Sequence, residues 1–234
     1  HECTSLEEML QKVQVAAQAP GSGWIRGYGW SQSAWPGAAN PTRFDLDRVA
    51  PGRPVAIHSR DMHSLWVNTR ALTLAGVDAN TQDVAGGEIL RDRAGAPLGI
   101  FSENARELIE RRISAPSARE LQQAARLAIA EANRLGLTAV HSCEAPESFA
   151  ALAELERSGE LPIRVWHMLL VRLLDEALAL RITTGFGSER LRIGHVKLFA
   201  DGALGSGTAE MLEPYEDAPE SLGVAATGTE DLYD

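Results

Sequence analysis

The apolar and polar positions divide the chain into short strand-like runs and longer segments with helical spacing. Thr4 and Ser5 precede Glu7 and Glu8 in a capping-box pattern, which predicts a helix to about Gln18, ended by Ala19-Pro20-Gly21. Trp24–Trp30 (WIRGYGW) alternates aromatic and small residues and predicts a strand, with a Gly-, Ala-, Ser- and Asn-rich loop running on to Pro41. A short helix over Phe44–Val49, a Pro51-Gly52 turn and a strand over Pro54–Ser59 follow. That strand enters Arg60-Asp61-Met62-His63 and then a helical pattern from Leu65 to Ala75, closed by Gly76. Strand, polar loop and helix make a βα unit, whose loop is the place for function. Glu88–Arg91 and Leu98–Phe101 flank Arg93-Ala94-Gly95, a hairpin expected to lie outside the main sheet. Helices are predicted over about Glu103–Arg112 and Ser117–Leu135.

From Gly136 the alternation becomes regular. Strands over Leu137–Ser142, Pro162–Leu170 and Leu191–Ala200 are separated by helices over Pro146–Ser158 and Leu173–Ile182. Such alternation implies parallel pairing and an α/β fold. Five parallel strands are expected, fewer than the eight of a closed barrel, which takes about 250 residues without extra hairpins. The reading is therefore part of a (β/α)8 TIM barrel, incomplete in this chain, with an open doubly wound sheet as the alternative. Residues 1–234 form the central part of one barrel domain, with a hairpin and helical insertion at about 77–135 and the clearest βα repeats at 136–207. The chain begins at His1, and Thr229-Glu230-Asp231 resembles the opening of a helix, so an interior piece of a longer protein is expected.

Composition narrows the partners. With 44% hydrophobic and 23% charged residues the chain is globular, and a net charge of -10 without a Lys/Arg cluster argues against a nucleic-acid or anionic-membrane surface. No apolar run approaches the roughly 18 residues of a membrane span. Cys3 and Cys143 make neither a disulfide framework nor a CxxC pair, which suits a reducing, cytoplasmic setting.

Candidate chemistry centres on Leu191–Gly207 (LRIGHVKLFADGALGSG). On an extended strand Ile193, His195, Lys197, Phe199 and Asp201 share one face, and Val196, Leu198 and Ala200 the other. A lysine among apolar neighbours is costly unless paired, modified or poised for chemistry. Its neutral amine can form a Schiff base or capture carbon dioxide to become an anionic metal ligand, and the residues leave both open. GALGSG (202–207) lacks dinucleotide-fingerprint and P-loop spacing and reads as an active-site loop. His63 is expected at the carboxyl end of a strand, where ligand sites gather. His58, His141, His167 and His195 lie within predicted strands, where a packed histidine is the ordinary case, and no HxH, HExxH or CxxC motif assembles a local metal site. Cys143 and His141 share a face, a weak basis for a nucleophile.

The series PVAIHSRDMHSLWVNTRALTLAGV, GGEILRDRAGAPLGIFSENA, GLTAVH and VKLFADGALGSGTAEMLEPYED resembles amidohydrolase family 3, the group of YtcJ-like metal-dependent hydrolases and N-substituted formamide deformylase. The resemblance runs from about Trp24 to the end. It implies a (β/α)8 barrel with one or two divalent metals, zinc by expectation, activating water to hydrolyse an amide or related C–N bond. It implies that Lys197 is the family's carboxylated lysine ligand, with His195 as an additional candidate. Asp61, His63, Trp66, Asn68, Asp201 and Ser206 would contact a small amide-type substrate, and a homodimer is compatible. The family's HxH pair, later histidines and proton-shuttling aspartate have no counterparts here, so this segment alone is expected to be inactive. Gly207 stands where the family usually has arginine, and His195 where it usually has a small residue. The rival readings are a Schiff-base, aldolase-like barrel using Lys197, and a non-catalytic partial barrel.

Overall fold

The computed structural model describes residues 3–230 apart from 22, 38, 217 and 229. The helix start expected at Thr229–Asp231 involves residues 229 and 231 and lies outside them. The chain divides into two compact units, one of residues 1–114 with 199–234 and one of residues 115–198. Among the described residues the strands form two sheets, so the α/β class holds, while the parallel strands expected in one array are split between two.

The first unit opens with α1 (Leu6–Gln18), whose N-cap Ser5 accepts from the Glu8 backbone N–H. Strand β1 (Ile25–Trp30) pairs in parallel with β2 (Val55–Ser59), and α2 (Arg43–Val49) lies between them in sequence behind a Thr42–Asp45 capping box. The chain then departs from the expected βα unit. Residues Ser64–Val67 form β3, antiparallel to β2, and only Thr69–Ala75 is helix (α3). The reason is two-sided burial. Val55, Ile57 and Trp66 pack with Leu10, Trp30 and Trp35 on one side of the sheet. Ala56, Leu65 and Val67 pack with Leu72, Phe101 and Ile109 on the other. A strand covered on both faces reads as an unbroken apolar run, which spacing does not distinguish from a buried helix.

The hairpin is real, but it completes the main sheet. Strands β4 (Gly87–Arg91) and β5 (Pro97–Glu103) pair antiparallel, and β5 also pairs with β3, giving the order β1-β2-β3-β5-β4. Gly99 permits this docking: its φ is +99°, and a Cβ there would stand 2.5 Å from the Val67 carbonyl oxygen. The strand consumes the start of the helix expected at Glu103–Arg112, leaving a 3₁₀ turn and the single turn α4 (Glu107–Glu110).

The second unit follows the expected alternation closely. Helix α5 (Ala118–Arg134) starts at a Ser117–Glu120 capping box. Strands β6 (Ala139–Ser142), β7 (Arg164–Leu170) and β8 (Leu191–Lys197) are parallel in the order β6-β7-β8. Helix α6 (Pro146–Arg157) joins β6 to β7, and a 3₁₀ turn with α7 (Leu174–Ala179) joins β7 to β8. The core packs Ile129, Leu152 and Leu155 against Ile163, Val165 and Leu191.

Asn68 ties the first unit together. Fully buried, it accepts from the Val55 and Ala71 N–H groups (both 3.0 Å) and donates to the carbonyls of Ala50 (3.0 Å) and Arg53 (2.8 Å). It thereby caps α3 while fixing the end of α2 and the start of β2. Replacing it by alanine strands several buried backbone groups, so Asn68→Ala is predicted to cost about 3–5 kcal/mol in chemical denaturation. A loss below about 1 kcal/mol, the scale of an ordinary substitution, would contradict this account.

Candidate functional site

The loop between β2 and β3 is shaped by its own polar side chains. Asp61 Oδ1 accepts from the Ser59 hydroxyl (2.5 Å) and the His63 N–H (3.1 Å), while Ser59 Oγ accepts from the Ser64 N–H (2.9 Å). Met62 takes a positive φ of 68°, and its carbonyl accepts from Arg106. This tight turn presents His63 to the end of β5. There Glu103, only 4% exposed, lies with both carboxylate oxygens 3.0 Å from His63 Nδ1.

A second segment closes on the same carboxylate. Thr208, itself buried, donates its hydroxyl to Glu103 Oε1 at 2.8 Å and accepts from the Ala203 N–H at 3.0 Å. Ser206 Oγ lies 2.9 Å from Thr208 Oγ1. Gly202 is needed for the approach: a Cβ there would meet Thr208 Oγ1 at 2.1 Å and Glu103 Oε1 at 2.6 Å. The Phe199 ring stands edge-on to His63, with centroids 6.0 Å apart. Asp61, His63 and Ser206 are thus gathered around Glu103 and Thr208, two residues the motif analysis did not single out. Glu103 ends a strand whose last five positions are all buried.

The other predicted residues are placed differently. Trp66 is fully buried and spends its indole N–H on the Thr42 carbonyl, so in this chain it offers no ligand surface. Asn68 is the interior tie described above, with every amide contact used on backbone. Asp201 accepts from the Glu210 N–H at 3.0 Å, which commits one carboxylate oxygen to its own loop.

Lys197 and His195 belong to the second unit. The facing expected from strict alternation is corrected by a bulge in β8. Its register with β7 passes from His167↔Ile193 to Leu169↔Val196, so two residues, Gly194 and His195, stand against Met168 alone. Ile193 and Val196 therefore share the face of His167 and Leu169. Lys197, opposite Leu170, shares the face of Arg192, opposite Trp166. That face also carries His141, stacked on Trp166, and the Arg192 guanidinium lies 5.6 Å from the Trp166 ring. His195, in the bulge, is exposed. Lys197 ends β8 and is half-buried.

Two strand histidines are packed groups. His167 is buried beside Phe149, and burial lowers its pKa. His58 has a buried, unpartnered Nδ1, while its Nε2 lies 3.6 Å from Glu110. Burial, reinforced by Arg106 and Arg26, holds His58 down to about 4, whereas Glu110 is raised chiefly by burial. Among the described residues no group of three or more His, Cys, Asp or Glu side chains is placed to hold a metal ion. The expected divalent-metal set is thus not assembled by these residues alone. Nor, among the described residues, is any helix long and apolar enough to cross a membrane.

Sequence comparison shows that the chain belongs to the amidohydrolase family, whose profile matches residues 1–234. It is 32% identical over 236 residues to the Bacillus subtilis (strain 168) protein named "Putative amidohydrolase YtcJ", covering 98% of this chain and 44% of that one. It is also 36% identical over 106 residues to the N-substituted formamide deformylase of Arthrobacter pascens, which covers 45% of this chain and 20% of that one. An uncharacterized metal-dependent hydrolase from Pyrococcus horikoshii superposes with a TM-score of 0.62 at 27% identity, over 99% of this chain and 44% of that one. The chain thus spans less than half the length of these relatives.

The depressed value of His58 fixes a pH dependence. The unfolded ring, at 6.5, takes a proton before the folded ring at about 4. Stability from this group is therefore complete above about 6.5 and is lost as pH falls from there to about 4. Between pH 7 and pH 4.5 the chain is predicted to lose about 2–3 kcal/mol more than His58→Asn, measured by urea denaturation at each pH. Parallel losses in the two proteins would refute the assignment.

Proposed function

We propose that the complete protein is a metal-dependent hydrolase of an amide or another non-peptide C–N bond. This chain then supplies its histidine-bearing substrate loop and one lysine of its metal site. The reading assumes a (β/α)8 barrel, of which the β6-β7-β8 sheet would be one part. The observation that carries it is the β8 bulge. It gives Lys197 the face that Ile193 and Val196 do not use, at the carboxyl end of a parallel strand, where α/β folds hold ligands. Family membership supplies the reaction class.

A divalent metal, zinc in this reading, would be held mainly by side chains outside the described residues. Lys197 would contribute one oxygen ligand once carboxylated, since an ammonium cannot ligate a cation, and His195 is the second candidate. When bound, such a metal supplies Lewis acidity and activates water. The chain's own residues orient the substrate: His63 offers a ring nitrogen, Ser206 a hydroxyl, and Asp61 and Asp201 carboxylate oxygens. Because the chain covers under half of its relatives, it is expected by itself to turn over no amide.

In the complete protein, Lys197→Ala is predicted to lower both bound divalent metal, by elemental analysis, and amide hydrolysis by on the order of 100-fold or more. Metal loading of the unaltered protein should depend on bicarbonate. Unchanged metal and activity in the variant would overturn the reading. So would a borohydride-reduced adduct on Lys197 with a carbonyl substrate, which marks a Schiff base.

A further inference from the structure

Glu103 is over-determined in a way that capping or packing does not require. Its backbone sits at φ 49° and ψ −128°, a region that costs a non-glycine residue about 1–3 kcal/mol. It is held there by its N–H donating to the His63 carbonyl (2.9 Å) and by its own carbonyl accepting from Arg106 Nε (2.9 Å). The result is a buried carboxylate aimed at one nitrogen of one ring. The Thr208 hydroxyl and the Cβ-free Gly202 close the remaining approach. The other ring nitrogen, His63 Nε2, has no protein partner among the described residues. Nor is it one of the buried unpaired atoms, which include the Nδ1 of both His58 and His167. The His63 side chain is 20% exposed, and Nδ1 is the nitrogen taken up by Glu103.

We infer that Glu103 is a positioning residue. It fixes His63 as the Nδ1–H tautomer and presents the Nε2 lone pair as a hydrogen-bond and proton acceptor for ligands bearing an N–H or O–H group. An imidazole that donates from Nδ1 to a carboxylate has its free lone pair on Nε2, and the carboxylate steadies the ring if a proton is taken there. The inference rests on the proposed hydrolytic reading only for the use of that acceptor, an amide N–H or a water O–H. The tautomer itself is independent of any activity.

Two measurements test it on this chain. Long-range ¹H–¹⁵N spectra at neutral pH should show His63 with a protonated Nδ1 and an unprotonated Nε2, and Glu103→Leu should revert the ring to mainly Nε2–H. Diethyl pyrocarbonate, which attacks unprotonated imidazole nitrogens, should modify His63 at Nε2 several-fold faster than His58 or His167, and Glu103→Leu should slow it. If Glu103→Leu fails to fold, Thr208→Val, which leaves the carboxylate in place, should retain both the tautomer and the fast reaction. An Nε2–H tautomer in the unaltered chain, modification at Nδ1, or a rate no greater than that of the buried histidines would overturn the inference. None of these outcomes bears on whether the complete protein hydrolyses amides, so the two ideas fail separately.

Discussion

A carboxylate withdrawn from water must be given hydrogen bonds, and the first unit is arranged to give them to Glu103. Three segments far apart in sequence meet at that side chain: the turn after β2, the end of β5 and the loop that follows residue 199. None has a reason of its own to lie there. The β2–β3 turn carries the polar run Ser59, Arg60 and Asp61, and the 202–208 loop is rich in glycine. The shared anchor converts them into one surface, with His63 as its solvent-facing member.

The sheet beneath supplies the rigidity that the anchor needs. Its central strands are covered on both faces, with the tryptophans at 30, 35 and 66 in edge-to-face and tilted contact on one side and Phe101 with Leu72 on the other. Asn68 then locks the order of α2, β2 and α3 through backbone groups alone. These features explain why residues in the family-like motif DMHSLWVN divide by role. His63 faces outward, whereas Trp66 and Asn68, three and five positions later, are interior.

The second unit was the more legible from sequence. Amphipathic helices and short strands in strict alternation, with Ser117 and Pro146 marking helix starts, leave little room for another arrangement. The first unit was harder, because a strand buried on both sides lacks the period-two pattern and its four residues merge with the helix after them. Glu103 was hidden for a related reason. Nothing local distinguishes an acid ending a strand from an ordinary exposed one, and its partner Thr208 is 105 positions away. The facing of Lys197 was misread because alternation assumes one residue per position, and a bulge inserts an extra one without any residue type that announces it.

That bulge has a consequence for how the family can vary. The lysine's orientation is set by Gly194 and His195 sharing one place in the ladder, not by their identity, since a Cβ at Gly194 would meet only ordinary contacts of 3.6 Å and beyond. Side-chain replacement at these two positions is therefore mild for lysine placement. Loss of a single residue between Ile193 and Val196 would only close the bulge, returning one residue to each position and leaving Lys197 on the same face. Pairing register, more than side-chain chemistry, is what this segment has to keep.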